Sequence, residues 1–150
     1  RCRLRLTAAY PGVRETRRIV AETTLTEEAL LSGKRFEDTI ALAGRHFDLS
    51  RAKTGQPFHE KRLSVKGGVA PIPYGALLPR GADNLIAAGR CIAADGQALG
   101  PARIMSTCMA VGQAAGVAAR FKLEADAPFR AVDAQALRAR LRALDAEVDA

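Results

Sequence analysis

The short apolar run Leu85-Ile86-Ala87-Ala88, closed by Gly89, constrains this chain more than any other feature. A run of that length ended by glycine reads as a buried parallel strand. Cys91 to Pro101 then reads as a loop holding Gly96 and Gly100, and Ala102 to Arg120 as one helix. Small residues crowd that helix (Ala110, Gly112, Ala114, Ala115, Gly116, Ala118 and Ala119) and let it lie close to a sheet or another helix. Strand, glycine and helix in this order put a ligand at the carboxyl edge of a sheet. The unpaired amides and positive dipole end at Ala102 to Met105 suit an anion, or a ring oxygen that gains negative charge on reduction. Spacing alone does not separate a ligand site from a purely structural unit, because strand, loop and helix recur throughout α/β proteins. The fold class expected is α/β, with helix and strand mixed.

The other signals narrow the field by exclusion. Hydrophobic residues at 48% and charged residues at 26% fit a packed globular chain and not a disordered one. A formal net charge of +7 raises the question of nucleic acid, but the arginines are spread along the chain with few aromatics between them. A basic balance serves a pyrophosphate or an acidic small substrate equally well. The stretch between Arg103 and Arg120 carries the pair Gly112 and Gly116 that packs membrane helices. It is shorter than the roughly 20 apolar residues a span requires, and it contains Ser106, Thr107 and Gln113. A membrane span is therefore not expected. Cys2, Cys91 and Cys108 form no CxxC pair and no metal spacing with His46 or His59, so no metal site is expected. They read as reduced thiols, most often small buried hydrophobes, in a cytoplasmic setting.

Along the chain, Cys2, Leu4 and Leu6 alternate with arginines as a strand already under way, so a preceding segment is expected. A second strand is expected over Arg17 to Thr24, after the Tyr10-Pro11-Gly12 turn. Thr26 can cap a short helix with Glu27 and Glu28 in its first turn and Gly33 as its stop. Phe36 to Ala43 is an ordered segment that the pattern leaves open between helix and strand. Ser50 to Gly68 is polar and basic, a candidate mobile loop or crossing. Val69 to Pro79, with prolines at 71, 73 and 79, reads as an extended edge segment. Asp133 caps a last surface helix with Leu137, Leu141 and Leu144 on one face and Arg138, Arg140 and Arg142 on the solvated side.

Two long stretches carry a resemblance. Ile72-Pro73-Tyr74-Gly75-Ala76-Leu77-Leu78-Pro79 with Asp83 to Ile92, and Ala98 to Gly116 after it, resemble the C-terminal signature of a family of FAD-dependent oxidoreductases. Tyr10 to Ile19 and Gly33 to Ala41 are similar to further segments of the same family, so the likeness spans most of residues 10 to 119. It implies a fold of the glutathione-reductase type, in which FAD lies across a dinucleotide-binding domain built from both ends of the chain. Residues 1–70 would end a substrate-facing domain, 71–125 would close the FAD-binding domain, and 126–150 would form a C-terminal surface helix. The GxGxxG loop and acidic ribose ligand of that domain are not in this sequence, which makes the expected chain a C-terminal portion that needs its N-terminal part.

Carried over position by position, the resemblance puts Gly89 and Arg90 beside the FAD pyrophosphate and ribityl chain. Relatives in the wider fold carry an acid where Arg90 stands. Arg103, Ile104 and Met105 would offer backbone amides to the pyrimidine edge of the flavin, and Ala93 replaces a serine frequent elsewhere. Arg14 and Arg103 are the candidates for holding a small, anionic or carbonyl-bearing substrate over the flavin. For Arg14 the structural alternative is an ion pair with Glu15 or Glu22. His46 and His59 could donate protons near neutral pH. The implied activity is hydride transfer between a small organic substrate and flavin, with exposed apolar surface and homo-oligomers expected of the chain alone. The rival from another class is a non-catalytic α/β module that recruits an acidic partner through its basic surface.

Overall fold

The computed structural model describes residues 3–13, 15–44 and 68–149. Four helices and a two-stranded sheet are found among them, in the order α1 (Glu27–Ser32), β1 (Thr39–Ala43), β2 (Ala70–Pro73), α2 (Leu99–Ala102), α3 (Met105–Ala125) and α4 (Ala134–Arg142). The chain is thus mixed helix and strand, as expected.

Local chemistry accounts for α1. The Thr26 hydroxyl accepts from the Ala29 amide at 3.2 Å, Glu27 and Glu28 sit in the first turn, and Gly33 ends the helix at φ 70°. That left-handed conformation is one glycine adopts without penalty. Asp133 likewise caps α4 by accepting from Gln135 and Ala136. The segment 36–43 resolves into strand β1, which pairs antiparallel with β2 through Ala41 opposite Ile72 and Ala43 opposite Ala70. Pro71 and Pro73 are tolerated in β2 because a two-stranded sheet consists of edges. β2 runs straight into a 3-10 turn over Tyr74–Leu77.

One buried cluster joins these pieces, drawing Leu25, Leu30, Ile40, Ile72, Leu77, Ile92, Leu99, Val111, Leu137 and Leu141 from both sides of residue 70. At its tightest approach, a Cβ on Gly75 would lie 2.5 Å from Thr23 Oγ1 and 3.1 Å from Thr23 Cβ. The two segments cannot part to make room, because Thr23 N donates to Gly75 O and Gly75 N donates to the Asp38 carboxylate at 2.8 Å. Gly75→Ala should therefore destabilise the chain by about 1–3 kcal/mol, through overpacking, as read by urea unfolding.

Several expectations are corrected. Residues 3–8 form no strand, and Leu4 and Leu6 are each 85% exposed. Residues 17–24 are extended but form no strand of their own. They divide their backbone hydrogen bonds between two neighbours: Glu22 and Thr23 bond to the 75–78 turn, whereas Ile19 and Leu25 bond to Cys91 and Ala93. Only isolated bridges result, at Ala21 to Pro79 and Leu25 to Ala94. Residues 85–88 are neither a strand nor buried, with Leu85 54% exposed and a lone backbone bond from Ala87 N to Leu77 O. An apolar run becomes a strand only against a partner strand, and none lies beside it among the described residues.

At the C-terminus, Leu137 and Leu141 are buried as expected, while Leu144 lies beyond α4 and is exposed. Arg138 is not on a solvated side: it donates to Thr39 O at 2.9 Å and to Asp149 at 2.6 Å. Cys91 is an exposed thiol, not a buried hydrophobe. The stretch 50–68 lies outside the described residues, except for Gly68. No helix among the described residues is long and apolar enough to cross a membrane, and no group of three or more His, Cys, Asp or Glu residues among them could hold a metal ion.

Candidate functional site

The loop from Ala88 to Ile104 places the candidate residues. Ala88 is extended, and Gly89 then takes φ +84° at the start of a 3-10 turn over Gly89–Cys91. A Cβ on Gly89 would meet nothing within 4 Å, so backbone conformation and not crowding calls for glycine here, and the space above it is open. After the turn, Ala93 N bonds to Ala76 O while the Ala93 carbonyl receives Leu25 N, which locks the loop into the core.

Asp95 is the organising residue that the sequence reading missed. Its Oδ2 accepts from Glu27 N at 2.7 Å, and its Oδ1 accepts from Gln97 N and Ala98 N at 2.8 and 2.7 Å. One carboxylate thereby supplies acceptors to the start of α1 and to the turn that leads into α2. An Asp-Gly pair just ahead of a small-residue stretch was the available signal.

The expected single helix from Ala102 is broken in two. α2 ends at Ala102, Arg103 continues at φ −86°, ψ −1°, and Ile104 swings to ψ 151° before α3 begins at Met105. The break frees carbonyls of α2, and side chains of α3 answer them: Thr107 Oγ1 donates to Pro101 O at 3.2 Å and Cys108 Sγ to Ala102 O at 3.7 Å. Burial pushes the Cys108 thiol up in pKa, and Arg90 opposes that shift.

The break decides which amides can face a ligand. Arg103 N already donates to Leu99 O at 2.9 Å, so a free amide expected at Arg103 is not found. Ile104 is the N-cap of α3 with no side-chain cap, and Met105 and Ser106 open the helix with no acceptor within it. Met105 is 74% exposed, and Met109, Gly112 and Gly116 also face outward, so this end of α3 is accessible.

Arg90 and Arg103 meet at this point, with Arg90 Nε donating to Arg103 O at 3.4 Å. The Arg103 guanidinium forms an ion pair with Glu15 at 2.6 Å, its side chain only 15% exposed and that of Glu15 30%. A cleft of about 240 Å³ lies alongside, lined by Val13, Glu15, Thr16, Arg17, Arg90 and Cys91. An anion approaching Arg103 must therefore compete with the Glu15 carboxylate. Nothing in the sequence linked the pair, whose members are 88 positions apart. Glu22, the other acid considered for Arg14, is engaged by Arg130 at 3.3 Å. Arg14, His46 and His59 lie outside the described residues. Glu15→Gln should lower unfolding stability by about 1 kcal/mol, the scale of a partly exposed ion pair. Because most of that interaction is electrostatic, the loss should shrink when urea unfolding is repeated at high salt.

An open helix end, a glycine with clear space above it and two arginines are features that suit a group carrying or acquiring negative charge. The sequence model of the FAD-dependent oxidoreductases matches residues 1–141, and the chain belongs to that family. The family is FAD-dependent. Neither the curated proteins nor the solved structures contain a match to the chain. Membership in a family of redox enzymes gives the non-catalytic binding module no support.

The residues present fit part of a flavin. The uncapped amides of Ile104 and Met105 suit its pyrimidine edge, and the open space over Gly89 suits a chain running past the backbone. No GxGxxG loop for the adenosine diphosphate is found in the sequence.

Proposed function

We propose that this chain supplies the flavin-facing edge and the end of the substrate-facing unit of an FAD-dependent oxidoreductase of the glutathione-reductase type. When bound, the flavin would supply the redox chemistry, exchange of hydride with a small organic substrate. Residues of this chain orient and stabilise. The Ile104 and Met105 amides hold the pyrimidine edge and stabilise negative charge that collects there on reduction. Gly89 lets the ribityl and pyrophosphate portion pass close to the backbone, with Arg90 beside it. Arg103 and Arg14 hold an anionic or carbonyl-bearing substrate, with Glu15 keeping the Arg103 guanidinium extended and its charge compensated between turnovers. The observation that carries this reading is the uncapped start of α3, tied through the Arg90–Arg103 contact to the turn that Gly89 opens at φ +84°.

The adenosine subsite and the glycine-rich loop that holds the diphosphate belong, on this reading, to a part of the protein that precedes the chain. The exposed apolar face of α3 and the exposed Leu85 support such a contact. A flavin titration followed by visible absorbance and fluorescence tests this. Binding by an N-terminally extended protein, and not by residues 1–150 alone, is the expected result. Failure of both to perturb the flavin would remove the proposal.

A further inference from the structure

We propose that the cleft between the start of β1, α4 and the C-terminal segment is an oxyanion site that takes one phosphate group. Among the described residues it shares no lining residue with the cleft beside Arg90, and it does not depend on the flavin reading.

The cleft has a volume of about 150 Å³, with Arg35, Phe36, Thr39, Arg138 and Asp149 among its walls. That space is large enough for one tetrahedral anion. Two guanidinium groups there offer donors with no protein acceptor among the described residues, one in solvent and one buried. The exposed Arg35 guanidinium makes no hydrogen bond or ion pair among the described residues. Arg138 uses its terminal nitrogens on Thr39 O and Asp149, but its Nε is buried with no acceptor. Buried N–H groups without a partner are rare enough in folded proteins to call for an explanation, an absent ion among them.

Charge points the same way. Asp149 is the single carboxylate in the cleft wall among the described residues, and it is shared: Arg138 reaches it at 2.6 Å, and Arg142 takes it through two bonds, also at 2.6 Å. Its negative charge is shared by two guanidinium groups, which leaves Arg35 without a countercharge among the described residues. Lys34 adds a further cation nearby, its ammonium 5.1 Å from the centroid of the Phe36 ring. Arginine forks match the geometry of phosphate oxygens and favour such an anion over chloride. Arg138 Nε is closed to solvent, so the anion engages Arg35 first and reaches the Arg138 edge after a small shift of the Asp149 carboxylate.

The test is calorimetric titration of the full-length, FAD-loaded protein with inorganic phosphate, ionic strength being held constant with chloride. Saturable binding is expected, weakened at least tenfold in Arg35→Gln and largely retained in Arg35→Lys. Arg35 is exposed and outside the core, so both variants should fold, and unchanged thermal unfolding without phosphate verifies that. A parallel titration with glycerol phosphate separates the sources. Tighter binding of the ester identifies a phosphorylated small molecule as the ligand, and tighter binding of inorganic phosphate identifies the free ion; both support the site. Absence of saturable binding by either, or equal affinity in Arg35→Gln, overturns it and leaves the Arg138 Nε to a water molecule.

Discussion

Leu25→Ala should destabilise the chain by about 2–5 kcal/mol, enough to remove a large share of a typical domain's stability. Leu25 is 0% exposed in the central cluster, so truncation deletes buried methyl groups and leaves a cavity that the surroundings fill only in part. Its backbone sets the scale of the damage. Leu25 N donates to Ala93 O, and Leu25 O receives Asp95 N, both at 2.9 Å. The backbone at Leu25, just ahead of α1, is thus clamped to the loop that follows Gly89 to Cys91, which limits how far either can slide inward to close the gap. The measurement is urea unfolding of the two proteins side by side. Leu123→Ala is the control, because Leu123 is 76% exposed on α3 and its loss should cost less than about 0.5 kcal/mol. Equal effects at the two positions would mean that the cluster around Leu25 is not the core.

That clamp also marks where sequence reasoning ended. Features written within a few residues were legible: the Thr26 cap with Gly33 as a stop, the Asp133 cap, and a small-residue helix through residues 105–120. The Thr26 hydroxyl and the Asp133 carboxylate each fix their helix by accepting from backbone amides two or three positions away, and Gly33 acts through its own backbone. What needed a partner distant in sequence was not legible. Residues 85–88 have the composition of a buried strand, yet hydrophobicity carries no information on whether a neighbouring strand is present to receive it. Residues 17–24 alternate as a strand should, but they answer two different neighbours in turn. The pairing of Arg103 with Glu15 and the triple role of the Asp95 carboxylate were equally invisible, since every charged residue looks solvated until its partner is known. The start of α3 was misjudged by a few residues for a related reason. Thr107 and Cys108 bond back across the break to Pro101 and Ala102 and stabilise a gap that helix propensity alone does not register.

The shifted start of α3 makes possible a substitution that separates folding from flavin chemistry. Met105 is the first residue of the helix, the position where proline is best accommodated, since its amide has no intrahelical acceptor to lose. Ile104, at φ −70° and ψ 151°, already has the extended conformation required ahead of proline. The Met105 side chain is exposed, so little packing is given up. Met105→Pro should therefore leave thermal unfolding nearly unchanged while deleting one N–H donor from the proposed pyrimidine-edge contact. In the full-length, FAD-loaded protein, loss of one such donor should slow flavin reduction by about 10²-fold, with 10³-fold as the upper end of comparable donor deletions. The flavin potential should become more negative, because charge on the reduced ring loses a stabilising contact. Stopped-flow reduction and a spectroscopic redox titration measure the two quantities. An unchanged potential with unchanged melting would show that the α3 amides do not face the flavin, and the assignment of Ile104 and Met105 would fall with it.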